Sequence, residues 1–154
     1  MEVFRIAKRE FAQDLSGTGA RIYGGRWNKK GTSVIYTSEN RALATVEYLV
    51  HISSVSIIPD RLCIVTIEIP DTVRVAEIKT KYFPSNWNKY PPPSKIPELG
   101  TEWIISNNSL LLRVPSAVVE NEHNILINPI HPDMKYVKIS DIRDYNLDNR
   151  LIKK

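Results

Sequence analysis

The sequence is poor in the residues that build disulfide scaffolds and metal centres. It contains one cysteine and three histidines in 154 residues. An internal disulfide is therefore impossible, and Cys63, which lies in the apolar segment LCIVTIEI, is predicted to be a buried strand residue and not a nucleophile. His51, His123 and His131 form neither an H-x-x-x-H pair nor a Cys/His cluster. We therefore expect no metal site.

Long apolar runs are also missing. No stretch of about 18 apolar residues occurs, which excludes a membrane-spanning helix of ordinary length. The first segment, MEVFRIAKRE, is charged within its first five residues and has no apolar core of the length that a signal peptide needs. These absences predict a protein of the reducing cytoplasm that does not bind membranes.

The excess of positive charge is small. The net charge is +4 and the pI about 9.2, with basic residues spread along the chain. A loose lysine group, Lys79, Lys81, Lys89 and Lys95, suits an anionic small molecule or an acidic partner. Because no basic helix, aromatic RNA-binding pair or zinc-finger spacing accompanies it, direct binding to nucleic acid is not expected.

Glycine is concentrated in one place. Five of the six glycines lie between positions 17 and 31. Such clustering predicts unusual backbone conformations, or backbone that a ligand approaches closely. The spacing does not fit a dinucleotide fingerprint, because Ile22 stands where Gly17-x-Gly19 would require the third glycine. A Rossmann fold is therefore not predicted.

The first clear helix follows a β-branched strand, SVIYTS. Ser38 is predicted as its N-cap and Glu39 as an acidic residue of its first turn, with the helix reaching about Ile52. At about 100° per residue, Glu47 falls at the edge of the apolar stripe that contains Leu43. Its carboxylate is therefore expected to point along the seam between helix and sheet.

The remaining pattern predicts an α+β fold in one domain spanning 1–154, with about six to eight short strands and two main helices. Positions 79–95 are rich in proline and are predicted to form an irregular loop. The other predicted strands lie at 3–6, 61–70, 72–78, 109–119 with a break at Pro115, 124–129 and 134–140, and the second helix at 97–107.

Four polar residues could carry chemistry: Arg26, Tyr36, Glu47 and Ser116. Taken by themselves, they also fit structural roles: a cation–π contact of Arg26 with Trp27, a core tyrosine, a solvated helix glutamate and a turn serine. Ser116 lies in VPSAV and not in G-x-S-x-G, so a serine-hydrolase triad is not supported. The residues alone leave both interpretations open.

A resemblance to a known family bears on that choice. The strings GGRWN, VIYTSE, LRVPSAVV and NPIHPD occur in the order and at the spacing of the RES domain, the toxin of RES–Xre toxin–antitoxin systems. The similarity extends from about Phe4 to Ile142. The arginine, glutamate and serine that give the family its name correspond to Arg26, Glu47 and Ser116, and none is substituted.

The resemblance implies an ADP-ribosyltransferase-like fold, with short, mostly antiparallel strands in a split central sheet and flanking helices. It also implies that NAD is the substrate, with no separate cofactor. Family members degrade NAD by hydrolysis or phosphorolysis, some relatives transfer ADP-ribose to a protein, and an Xre-type antitoxin blocks the active site. We therefore expect an NAD-degrading toxin, alone or in a homo- or hetero-oligomer.

The family roles suit the residue types. The Arg26 guanidinium matches pyrophosphate oxygens, and the Tyr36 ring can stack on nicotinamide. Glu47 can stabilise positive charge that develops on the ribose. Ser116 is expected to hydrogen-bond the ribose or the carboxamide, and Asn128 is a weaker candidate for contact with NAD. Two alternatives stay open: a protein ADP-ribosyltransferase, and a catalytically silent module that binds NAD or the antitoxin.

Overall fold

The structure is a computed structural model that describes residues 1–52 and 61–151. Short 3₁₀ turns, at Arg9–Phe11, Thr80–Tyr82, Pro132–Tyr136 and Asn149–Leu151, separate the main elements. These elements are, in chain order, β1 (Glu2–Lys8), α1 (Thr18–Tyr23), β2 (Ile35–Ser38), α2 (Arg41–His51), β3 (Leu62–Glu68), β4 (Val75–Glu77), α3 (Lys95–Ser106), β5 (Leu111–Pro115), β6 (His123–Ile127) and β7 (Lys138–Asp144).

The strands form one seven-stranded sheet in the order β4-β5-β6-β2-β1-β3-β7. Only β4 and β5 run parallel, and all other neighbours are antiparallel. Strands β1 and β2 share a single residue pair, Phe4 with Ser38. The sheet therefore divides at this point, which confirms the predicted α+β class and mostly antiparallel, split sheet.

The long apolar segment at 61–70 forms β3, which lies between β1 and β7. Its first six residues are buried, Cys63 among them, as the continuous apolar run predicts. Cys63 is completely inaccessible, so the prediction of a buried strand thiol is confirmed.

Apolar side chains pack against both faces of the sheet. Along β5, Leu111 belongs to one buried cluster and Leu112 to the other, and Ile125 and Leu126 of β6 divide in the same way. Alternate residues of a strand point to opposite faces, so this part of the sheet is covered on both sides. The second cluster includes Trp27 and the residues of α3 that face the sheet.

Helix α2 begins two residues later than predicted. Its N-cap is Asn40, whose side-chain oxygen accepts from the backbone N–H of Leu43 at 2.8 Å. Ser38 is still in β2 and donates its hydroxyl to Asn124, and Glu39 pairs with Arg113 at 2.6 Å instead of entering the first turn. The predicted cap and first-turn roles are therefore wrong, because tertiary partners use both side chains.

The predicted strand at 134–140 is displaced along the chain. Residues Pro132–Tyr136 form a 3₁₀ helix that His131 caps by accepting from the N–H of Asp133 at 3.1 Å. The strand, β7, starts only at Lys138 and continues to Asp144 at the edge of the sheet. A proline near the start of a helical turn favours the turn over the strand, which explains the shift.

Helix α3 packs directly against the backbone of the glycine-rich segment. Gly100 faces Trp27 so closely that a Cβ at position 100 would overlap the Trp27 carbonyl oxygen. Next to this contact, Lys29 donates its backbone N–H to Thr101 Oγ1 at 3.0 Å, and its ammonium lies 3.2 Å from Glu98. Helix α3 therefore fixes the GGRWN turn.

Substituting Gly100 tests this packing. Gly100→Ala should lower the free energy of unfolding by about 1–3 kcal/mol, because the added methyl group must displace backbone. Gly19→Ala is the matched control, since no atom outside its chain neighbours and its own helix backbone lies within 4 Å of a Cβ at that helical position. It should be neutral or stabilise by roughly 1 kcal/mol at most. Urea denaturation followed by circular dichroism measures both, and equal stability of the two variants would contradict the packing.

Candidate active site

Glu47 lies on α2 and is held from the sheet. Its Oε1 accepts hydrogen bonds from Ser116 Oγ at 2.7 Å and from Asn124 Nδ2 at 2.6 Å. Ser116 follows β5 and Asn124 lies in β6, so the carboxylate bridges the helix and two neighbouring strands. The direction predicted from the helical period, into the seam between helix and sheet, is the one observed.

The Ser116 hydroxyl is fully engaged. Its residue is 6% exposed, and its oxygen accepts from the backbone N–H groups of Val118 at 3.1 Å and Val119 at 3.0 Å. Its only hydrogen goes to Glu47. In this arrangement Ser116 positions the carboxylate, and the expected contact with the ribose or the carboxamide stays a prediction.

Asn124 is a site residue that the sequence did not reveal. While its amide nitrogen donates to Glu47, its oxygen accepts from Ser38 Oγ at 2.7 Å. The pairing of β2 with β6, which sets Ser38 opposite Asn124, brings these two side chains together. The one sequence signal is that β6, HNILI, begins with two polar residues, His123 and Asn124, before its apolar part. Asn124 thus links Glu47 to the strand that pairs with β1.

Arg26 lies at the GGRWN turn and binds the proline-rich loop. Its Nη1 donates to the carbonyl oxygens of Trp87 at 2.8 Å and Lys89 at 3.1 Å. Burial lowers the pKa of the guanidinium, and the negative charge of Glu47 partly opposes that shift. The two residues therefore lie in one electrostatic environment, although they form no ion pair in the described part of the chain. The cation–π contacts of the described residues do not include Arg26 with Trp27.

Tyr36, which lies in β2, supports the same turn from the sheet. Its hydroxyl accepts from the backbone N–H of Trp27 at 3.0 Å and donates to Asn28 Oδ1 at 2.7 Å. Burial raises the pKa of this phenol, so it remains a neutral hydrogen-bond donor. A Cβ at Gly25 would collide with the hydroxyl, which explains the glycine before Arg26. Stacking of the Tyr36 ring on nicotinamide stays a prediction.

The structure does not bring Asn128 to this group. Its side chain is completely buried, and its amide donates to Asn107 Oδ1 at 3.0 Å and accepts from the N–H of Ile130 at 3.1 Å. It follows the far end of β6, four residues beyond Asn124, or roughly 13 Å along an extended strand. These contacts indicate a structural role for Asn128, and its predicted contact with NAD stays a prediction.

Other features of the described chain lie apart from Glu47. A cavity of about 390 Å³ is lined by residues that include Glu77, Lys79, Arg113 and His123, and by none of the four candidate residues. Within 1–52 and 61–151, no group of three or more His, Cys, Asp or Glu residues could hold a metal ion. In the same ranges, no helix has the length and apolarity that crossing a membrane requires.

Comparison with known proteins identifies the family. The sequence model described as the RES domain matches residues 2–148. The chain belongs to the RES domain family. Among RES relatives, a protein of Sphingobium sp. (strain YBL2) named Prs ADP-ribosylating toxin is 42% identical over 145 residues, which are 93% of this chain and 89% of that protein. A protein of Photorhabdus laumondii named Toxin Res is 35% identical over 99% of this chain and 98% of its own length.

A solved structure confirms the RES fold. A chain of the M. tuberculosis MbcT–MbcA toxin–antitoxin complex superposes with a TM-score of 0.77, covering 94% of this chain and 83% of that chain. The sequence identity is 18%, so this likeness establishes the architecture and not the chemistry. The likeness therefore supports the α+β architecture of the whole chain and assigns no role to any residue.

The hydroxyl of Tyr36 can be removed without removing its ring. Tyr36→Phe should lower the free energy of unfolding by about 1–3 kcal/mol, because the Trp27 N–H and Asn28 Oδ1 lose a buried partner. Burial raises the pKa of Tyr36, so the folded protein keeps this proton above pH of about 10, where the unfolded chain releases it. Wild-type stability therefore has a component that declines as the pH rises past that value, and the variant lacks it.

Urea titrations of both proteins between about pH 8 and pH 11 provide the measurement for Tyr36. The stability difference should be largest near pH 8 and should narrow as the pH rises. A difference that stays constant over this range would show that the phenol is not held in its neutral form.

Proposed function

We propose that this RES protein is a toxin enzyme that cleaves the bond between nicotinamide and ribose in NAD. The observation that carries the proposal is the geometry of Glu47. Ser116 and Asn124 both donate to Oε1, and no described residue donates to Oε2. The carboxylate is thus fixed in orientation with one oxygen directed away from its supports.

A fixed carboxylate suits this reaction. As the bond between ribose C1′ and the ring nitrogen breaks, its electron pair moves to the pyridinium ring and neutralises it, and positive charge develops on the ribose. Glu47 can stabilise that charge without reorganising, because its orientation is already set. Nicotinamide leaves as a neutral molecule, so no general acid is needed and a single carboxylate is sufficient. Water or phosphate then bonds to C1′ and releases a proton to solvent.

Arg26 and Tyr36 support the placement of NAD next to Glu47. Two carbonyl oxygens use one nitrogen of the Arg26 guanidinium, and the group offers five N–H donors in all. The remaining donors suit the pyrophosphate. The hydrogen bonds of the Tyr36 hydroxyl to the turn fix the position of its ring, so the ring is preorganised to stack on nicotinamide. The substrate would extend from Glu47 towards Arg26.

The family comparison supports the physiological role. Relatives that match nearly the full chain are named toxins, and the similar solved structure is a toxin–antitoxin complex. We therefore include an antitoxin protein of the Xre type as the partner that restrains this enzyme in the cell. Depletion of NAD would arrest growth when the partner is absent.

Glu47→Gln tests the proposed chemistry. The amide oxygen can still accept from Ser116 and Asn124, so the variant removes the charge while keeping the contacts. Purified wild-type protein should release nicotinamide from NAD, and the variant should be slower by about 100-fold or more, the scale of losing one electrostatic stabiliser of a transition state. Reactions with and without phosphate distinguish phosphorolysis from hydrolysis by the product, ADP-ribose 1″-phosphate or ADP-ribose.

Glu102→Gln is the control, because Glu102 is an exposed residue of α3 and should leave the rate unchanged. Full activity in Glu47→Gln would remove Glu47 from the mechanism. Thermal protection of the wild type by NAD without any release of nicotinamide would instead favour the silent binding module.

Protein ADP-ribosylation is the second candidate, and one comparison favours it. The Sphingobium relative, 42% identical, is named Prs ADP-ribosylating toxin. Bond cleavage at Glu47 would be the same, with a side chain of a target protein replacing water at C1′. The two reactions would use the same site residues and differ only in the group that bonds to C1′.

Labelled substrate separates the two reactions. With NAD labelled in its adenine ring and a bacterial protein extract, NAD degradation should leave the label on ADP-ribose or its phosphate. Electrophoresis and chromatography of the same sample measure the two pools. Label that stays on a protein band, and that disappears in Glu47→Gln, would establish the transferase in place of the degrading enzyme.

A further inference from the structure

Tyr90 is an exposed aromatic residue beside Arg26. It is 87% exposed, and it directly follows Lys89, whose carbonyl oxygen accepts from Arg26 Nη1 at 3.1 Å.

The backbone that carries Tyr90 is anchored, although its ring lies in solvent. Trp87 packs in an aromatic cluster with Phe83 and Trp27, at ring-centroid distances of 5.4 and 6.4 Å. Arg26 adds a hydrogen bond to the Trp87 carbonyl oxygen at 2.8 Å. Tyr90 is therefore presented from a fixed segment three residues beyond Trp87.

The chemistry of NAD defines what a ring at this place could contact. The pyrophosphate joins two nucleosides, so a molecule with its nicotinamide ribose at Glu47 and its pyrophosphate at Arg26 extends its adenosine beyond Arg26. Tyr36 is half-buried, with its hydroxyl bonded under the turn, whereas Tyr90 is 87% exposed. The nicotinamide end would therefore be the deeper one, and the adenine end would lie towards solvent. Stacking of a base on an exposed tyrosine ring needs no specific hydrogen bond.

We propose that Tyr90 binds the adenine base of NAD by stacking and so anchors the half of the substrate that does not react. This inference rests on the proposed function. Tyr82 is the other exposed tyrosine of this loop, but its ring already contacts the Lys81 ammonium, 4.9 Å from the ring centroid. Tyr82 therefore provides a matched control.

A truncated substrate isolates this contact. Nicotinamide mononucleotide has the scissile bond and lacks adenosine. In Tyr90→Ala, kcat/KM for NAD should fall by about 5- to 150-fold, mainly through KM, which is the range for loss of one base–aromatic stack. The value for nicotinamide mononucleotide should not change. Tyr90→Phe should behave as the wild type with both substrates, and so should Tyr82→Ala.

Two outcomes would overturn the proposal. One is an equal loss for both substrates in Tyr90→Ala, which would indicate damage to the loop or to the reacting end. The other is an unchanged kcat/KM for NAD. In either case release of nicotinamide by the wild type would still stand as evidence for the proposed function.

Equilibrium binding gives a readout that does not need catalysis. Calorimetry should show that Tyr90→Ala lowers the affinity for ADP-ribose by a similar factor and leaves the affinity for ribose 5-phosphate unchanged. If the wild type does not cleave NAD, but Tyr90→Ala binds ADP-ribose more weakly than the wild type does, the proposed reaction fails and the adenine contact stands. Unchanged affinity for ADP-ribose in Tyr90→Ala would overturn the contact whatever the reaction.

Discussion

One oxygen atom connects the parts of this fold on which the proposed chemistry depends. Oε1 of Glu47 accepts from Ser116 and Asn124, and through them a helix is tied to two strands of the sheet. A half-buried carboxylate needs such partners, because leaving its oxygens unsolvated and unbonded would be costly. The same two bonds that satisfy the charge also set its direction, so in the proposed mechanism they serve both the fold and the reaction.

A second level of organisation concerns the GGRWN turn, which is fixed from three sides. Tyr36 bonds the turn from the sheet, α3 packs on it through Gly100, and Arg26 extends from it to the carbonyl oxygens of the proline-rich loop. Each contact is local and modest in energy. Together they hold a guanidinium near Glu47 without an ion pair between them, which leaves both charges available to a ligand.

The sequence predicted those features that depend on a single element. The helical period placed Glu47 at the seam, and the apolar run at 61–70 predicted a strand with Cys63 inside it, which is β3. Features that depend on strand register were not accessible. Asn124 reaches Glu47 only because β6 pairs with β2, and Ser38 caps no helix for the same reason. Asn128 shows the opposite case: the sequence motif marks it as a candidate, but its side chain is buried away from Glu47.

The distance along the chain between Glu47 and its partners, 69 residues to Ser116 and 77 to Asn124, has a consequence for how the protein is made. Translation delivers the glutamate early and its two hydrogen-bond donors late. Until β5 and β6 have been synthesised and paired, a growing chain contains the carboxylate without the geometry that directs it. A chain that has not yet reached β6 therefore lacks the contacts that direct this carboxylate, and the geometry of Glu47 is completed only when both donors are in place.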